Sequence, residues 1–113
     1  MQVDNFTNHE IQEDDFVAYP IHENTKNQRL TIAQVSNTGI SLWVEGPEIS
    51  TTVTQVEKCI YLGTQNKKTS KIYKKYCDKI NKLDIDDLGF EAYQDKANSI
   101  FESFVEKFKE VET

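Results

Sequence analysis

The sequence predicts an α+β protein, with five short antiparallel strands in its first half and a helical hairpin in its second. Three observations carry that prediction. Between residues 11 and 63, runs rich in Val, Ile, Thr, Tyr and Trp alternate with turn-forming residues, which is the pattern of short strands. After Gly63 the apolar spacing changes from that of a strand to that of a helix. At 113 residues, with 4 Gly and 2 Pro, the chain has the size and composition of one domain that buries a modest core without disulfide or metal.

Residues 1–10, "MQVDNFTNHE", are polar and aperiodic and read as a loose leader. Strands are predicted at "DFVAYP", "LTIAQVS", "GISLWVEG", "STTVTQV" and "KCIYLG" within residues 11–63. "SNTG" at 36–39 suits a hairpin, with Gly39 supplying a positive φ, and "EGPE" at 45–48 breaks the next run. "IHENTKNQR" at 21–29 forms one longer polar connection. This count and spacing of strands resembles a small SH3-like barrel of the Tudor or KOW kind, and "EDDFVAYP" is similar to the first strand of such barrels in small accessory proteins of tailed phages. The resemblance implies a closed five-stranded barrel and an accessory factor that modulates a nucleic-acid enzyme or a defence protein. It assigns no functional residue.

Residues 64–113 carry the hairpin. With Ser70 as cap, a rotation of about 100° per residue sets Ile72, Tyr73, Tyr76, Cys77, Ile80 and Leu83 on one arc. Lys71, Lys74, Lys75, Lys79 and Lys82 fall on the other. Asp84, Asp86 or Asp87 then caps a second helix, where Phe90, Tyr93, Ala97, Ile100, Phe101, Phe104, Phe108 and Val111 keep the helical repeat. Glu91, Asp95, Glu102, Glu106 and Glu110 line its opposite side. The second helix is the longer, so antiparallel pairing leaves Phe104, Phe108 and Val111 needing either the β unit or another chain as cover. A twofold homodimer through this helix is one solution.

Charge is segregated along the chain. The net charge is −6, yet residues 64–82 hold seven lysines and one acid, whereas residues 1–63 and 83–113 each hold nine acids and three bases. The simplest account of the cluster, Lys67, Lys68, Lys71, Lys74, Lys75, Lys79 and Lys82, is a wet helix face complementing its acidic neighbour, each exposed pair contributing about 0.2–1 kcal/mol. The functional account is a phosphate-contacting face, although Tyr73 and Tyr76 lie on the apolar arc and are not placed to stack bases. The reverse reading makes Glu102, Glu106 and Glu110 a mimic of DNA phosphates that occupies a basic groove on a protein partner and inhibits it.

Other chemistry has less support. Trp43, with Tyr19 and Tyr61, suggests an aromatic cage for a methylated cation, against the plainer reading that Trp43 packs beneath the helices. "DIDDLGFEAYQD" at 84–95 imitates a calcium loop at Asp84, Asp86, Gly89 and Asp95, but Leu88 stands where an oxygen ligand is required, so a capped helix start is preferred. His9 and His22 lack metal-ligand spacing with Cys59 or Cys77, and the chain has no Gly-rich phosphate loop or Gly-x-Ser-x-Gly turn. No enzyme and no cofactor are therefore expected. The cysteines lack Cys-x-x-Cys spacing, no run approaches the about 20 apolar residues of a membrane span, and the start lacks the features of a secretory signal. Reduced thiols, a cytoplasmic location and a protein partner are expected, through Trp43, Phe104, Phe108 and the three glutamates.

Overall fold

The computed structural model describes residues 11–21, 29–37, 42–54 and 56–112. Strands β1 (Phe16–Pro20), β2 (Leu30–Asn37), β3 (Leu42–Glu45), β4 (Ser50–Thr52) and β5 (Ile60–Gly63) form one antiparallel sheet in the order β4-β3-β2-β1-β5. A one-turn 3-10 helix, Val56–Lys58, precedes β5, and three helices follow: α1 (Lys67–Asn81), α2 (Ile85–Leu88) and α3 (Phe90–Glu112). All five predicted strand runs contain a strand. The leader, most of the 21–29 connection and the 38–41 turn lie outside the described residues.

The expected closed barrel is corrected to an open sheet, with β4 and β5 as its two edges. The predicted fourth strand, "STTVTQV", shows why. The ladder with β3 covers Ser50–Thr52 and gains one further bond from the Val53 N–H to the Leu42 carbonyl, and from Val56 the chain winds into the 3-10 turn, where backbone groups bond locally rather than across to a closing strand.

Both faces of the sheet are covered. Every residue of β1 is buried, so it reads as an unbroken apolar run, as strands buried on two sides do. The side-chain alternation then sorts the core. Phe16 and Ala18 join Ile32, Leu62 and the helix residues Tyr76, Ile80, Ala97, Phe101, Phe104, Val105 and Phe108. Val17 and Tyr19 join Ala33, Val35, Val44, Val53 and Cys59 on the other side.

Helix α1 is capped four residues earlier than predicted. Asn66, not Ser70, is the N-cap: its Oδ1 accepts the Thr69 N–H at 2.9 Å, while Thr69 Oγ1 accepts the Asn66 N–H at 2.9 Å. This reciprocal pair satisfies two amide donors that a helix start leaves open. Lys67 and Lys68 therefore join the helix. Its predicted inner arc holds, with Tyr76 and Ile80 buried and Ile72, Tyr73 and Leu83 packed beside them.

Asp84 caps α2 by accepting the Asp86 N–H at 2.9 Å, and Gly89, at φ 85°, makes the joint to α3. The sheet covers the far end of α3. Phe108 is 0 % exposed with its ring 5.6 Å from that of Phe16, and Phe104 packs edge-on to Tyr76 at 5.6 Å. Phe104 and Phe108 are thus core residues rather than the expected docking or dimer surface, because the antiparallel return of α3 brings them onto β1. Phe90 departs from its predicted arc in the opposite sense: it is 58 % exposed at the first position of α3, ahead of the turns that reach the core.

Candidate functional site

Tyr76 and Ile80, buried in the core, fix the rotational phase of α1, and that phase turns the lysines outward. At about 100° per residue, Lys68, Lys71, Lys75, Lys79 and Lys82 fall within about 80° of one another. All seven lysines of the 67–82 cluster are exposed. Lys68, Lys71 and Lys75 line a groove of about 570 Å³ with Ile72, and Lys107, Glu110 and Val111 of α3 form its other wall. The start of α1 thus meets the end of α3, as antiparallel pairing requires. Lys107 is the member that sequence reasoning missed: it lies among glutamates in the chain and reaches the lysine row only through the pairing of the helices. Its Nζ stands 5.7 Å from the Phe104 ring centroid, within cation–π range.

The expected complementarity between the two helices is not what neutralises this face. Among the described residues, none of the seven cluster lysines forms an ion pair. Glu106 pairs instead with Lys109 of its own helix at 3.5 Å, and Glu102 accepts from Asn98 Nδ2 at 2.9 Å. Both glutamates are exposed, while Glu110 faces the lysine groove, so the three acids do not form an uninterrupted anionic surface. Four ammonium groups therefore surround one concavity against one carboxylate.

The aromatic cage does not form. Tyr19 and Tyr61 are buried, so neither offers an open ring face, and half-buried Trp43 pairs in register with Ser36 and Thr52. Among the described residues Trp43 belongs to neither core cluster, so packing beneath the helices is not seen either. His9 and His22 lie outside the described residues.

A second cavity, about 450 Å³, lies between the sheet and the end of α1, and includes Asp14, Glu45, Tyr73 and Cys77. The Tyr73 hydroxyl donates to the Glu45 carbonyl at 2.9 Å, and burial pushes its ionisation well above the ordinary tyrosine range. Burial, then the charge of Asp78, raises the Cys77 thiol. Cys59 is pushed up to about 12, by burial first and then by Asp15. Neither thiol is an activated nucleophile at neutral pH, because the reactive form is the thiolate.

Two polar nodes hold the scaffold behind the groove. Arg29, the chain's single arginine, makes a two-pronged bond to Glu48, donates through Nε to Gln94 Oε1, and lies 5.9 Å from the Tyr93 ring centroid. It ties the start of β2, the β3–β4 turn and α3 together. The Tyr76 hydroxyl meets Thr31 Oγ1 at 3.0 Å and accepts the Ile32 N–H at 3.3 Å, which fixes α1 to β2.

Comparison of the chain with protein-family models, curated proteins and solved structures gave no match. Among the described residues, no helix is long and apolar enough to cross a membrane.

Proposed function

We propose that the protein is a non-enzymatic binding module that holds the phosphate backbone of a nucleic acid in the groove between α1 and α3. The observation that carries this reading is the convergence of Lys68, Lys71, Lys75 and Lys107 on one concavity, with no ion pair among the described residues to satisfy them. Lysine ammonium groups attract phosphates as point charges, and their reach over about a Debye length makes a local patch effective despite the net charge of −6. The acidic face supports mimicry less well, because Glu106 is paired within its own helix and Glu110 faces the lysines. The strand order, with β5 returning beside β1 after a 3-10 turn, supports a distant relation to SH3-like barrels opened between β4 and β5. An accessory factor acting beside a nucleic-acid enzyme fits both.

The test is fluorescence anisotropy of a labelled oligonucleotide across a salt series. Neutralising about four phosphates gives a log–log slope near −3.6, so affinity should fall roughly 100-fold between about 50 and 200 mM salt. Reversing charge with K71E and K75E should abolish binding. Absence of binding at the low-salt end, or binding indifferent to those substitutions, would remove the proposal.

A further inference from the structure

Resting on that reading, we infer that the ligand is double-stranded, gripped by its backbone without reading of base sequence. The groove walls present ammonium groups, one carboxylate and the aliphatic side chains of Ile72 and Val111, and no aromatic ring. The rings nearest in sequence are turned away: Tyr76, Phe104 and Phe108 are buried in the core, and half-buried Tyr73 donates its hydroxyl to the Glu45 carbonyl. Sequence-tolerant single-strand sites stack successive bases on exposed rings. This face has no such platform, so a ligand gains nothing here by offering unstacked bases.

The same inventory favours backbone contact over base readout. Of the side chains that recognise base edges, the two-pronged Arg, Asn and Gln are absent from the cavity lining, which leaves single-point lysines and one glutamate. Lysine contacts to phosphate position a duplex but carry no sequence information.

Geometry favours the duplex as well. Lys68, Lys71, Lys75, Lys79 and Lys82 project from one continuous helix, α1 or its C-cap, and the row spans about 21 Å at about 1.5 Å per residue. A duplex offers that row a stiff array with one charge per about 1.7 Å of axis, twice the density of one strand, and the row matches about six base pairs at about 3.4 Å each. A flexible single strand must be straightened to meet the same charges. Lys107, on the opposite wall, lets the concavity receive one ridge of the backbone from both sides. Glu110 stands at the α3 wall, where its charge repels phosphate and limits affinity.

The experiment measures anisotropy at low and physiological salt with two 20-base-pair duplexes of unrelated sequence and a mixed-sequence single strand of equal length. Labelled polyglutamate is measured beside them, and circular dichroism confirms the fold of each variant. Both duplexes should bind within about twofold of each other and at least tenfold tighter than the single strand. K71E with K75E should lose more than 30-fold, and E110Q should gain about threefold, the effect of removing one charge at about 7 Å in water. Equal or tighter single-strand binding would overturn duplex selectivity while leaving nucleic-acid binding intact. A preference above tenfold for one duplex sequence would overturn backbone-only recognition. No binding of any of the three oligonucleotides at low salt, with labelled polyglutamate bound instead, would overturn both this inference and the proposed function, and would point to an acidic protein segment.

Discussion

Replacing Tyr76 with Phe isolates the polar contact that joins α1 to the sheet. Strand β3 pairs with β2 only as far as Glu45 opposite Gln34, so the Ile32 N–H beyond it is met by the Tyr76 hydroxyl instead of a strand. The substitution keeps the ring that packs edge-on against Phe104 and removes only the oxygen. It leaves the Ile32 amide and the Thr31 hydroxyl, both buried, without that partner. A stranded buried group costs about 1–3 kcal/mol, and because the Thr31 hydroxyl rotates, the expected loss is about 2–3 kcal/mol in total. At about 2.1 cal/mol/K of unfolding entropy per residue, that lowers the melting temperature by roughly 10 °C. Urea and thermal unfolding followed by circular dichroism measure it. A pH arm sharpens the test. Burial, countered in part by the bonds with Thr31 and Ile32, raises the Tyr76 ionisation from 10.0 to about 12. The folded state therefore holds the proton more tightly than the unfolded state does. Its stabilising contribution is complete below pH about 10 and is lost as pH rises through about 12, a change on the order of 3 kcal/mol. The gap between wild type and Y76F should therefore narrow between about pH 8 and 11.5. A Y76F protein within about 0.5 kcal/mol of wild type at neutral pH, or a gap that stays constant across that range, would refute the reasoning.

Three further outcomes follow from the packing. Glu48→Gln removes the carboxylate from a pair whose side chains are 13 % (Arg29) and 5 % (Glu48) exposed, and should cost about 3–5 kcal/mol in urea unfolding. R29M combined with E48L should recover much of that loss, whereas simple additivity would count against a buried pair. Gly46→Ala places a Cβ 2.6 Å from the Ile32 carbonyl oxygen and 3.2 Å from Ala33, so a loss of about 1–3 kcal/mol is expected, and a neutral result would show that the β3–β4 turn moves freely. Phe108→Ala should cost about 3–5 kcal/mol and Phe90→Ala less than about 0.5, and similar values for the two would contradict the assignment of one to the core and the other to solvent.

What could be read from the chain depended on how local the responsible interaction was. Strand runs, the inward arc of α1 and the break at Asp84 follow from neighbouring residues, and they were legible. The Asn66 cap is equally local: "NKKT" carries its reciprocal donor and acceptor three residues apart, but Ser70 adjoins the amphipathic run and offers a competing cap. Sheet closure was not legible, since strand number says nothing about whether three residues of β4 continue into a ladder or wind into a turn. Phe90 shared the periodicity of Phe101 and Phe108, yet periodicity gives the side of a helix and not how far along it the core extends. The Arg29 node was invisible because its partners stand 19 and 65 residues away. A single arginine in a chain with twelve lysines was the available hint. For the candidate site, the α1 lysines were evident from composition, whereas the groove needed Lys107 and Glu110 to arrive from the other helix.

The absence of an acid in the first turn of α1 has a cost for the helix itself. Lys67 and Lys68 sit at the positive pole of the helix dipole, and Lys67–Lys71, Lys71–Lys75 and Lys75–Lys79 are like-charged neighbours, each opposing helicity by about 0.2–0.5 kcal/mol. The segment is thus folded against its own repulsion, fastened by the Asn66–Thr69 lock and by Tyr76 and Ile80 beneath it. Any dissolved anion that shields those charges relieves the repulsion, so moderate salt should firm this segment, the reverse of what is expected where exposed ion pairs provide the stability.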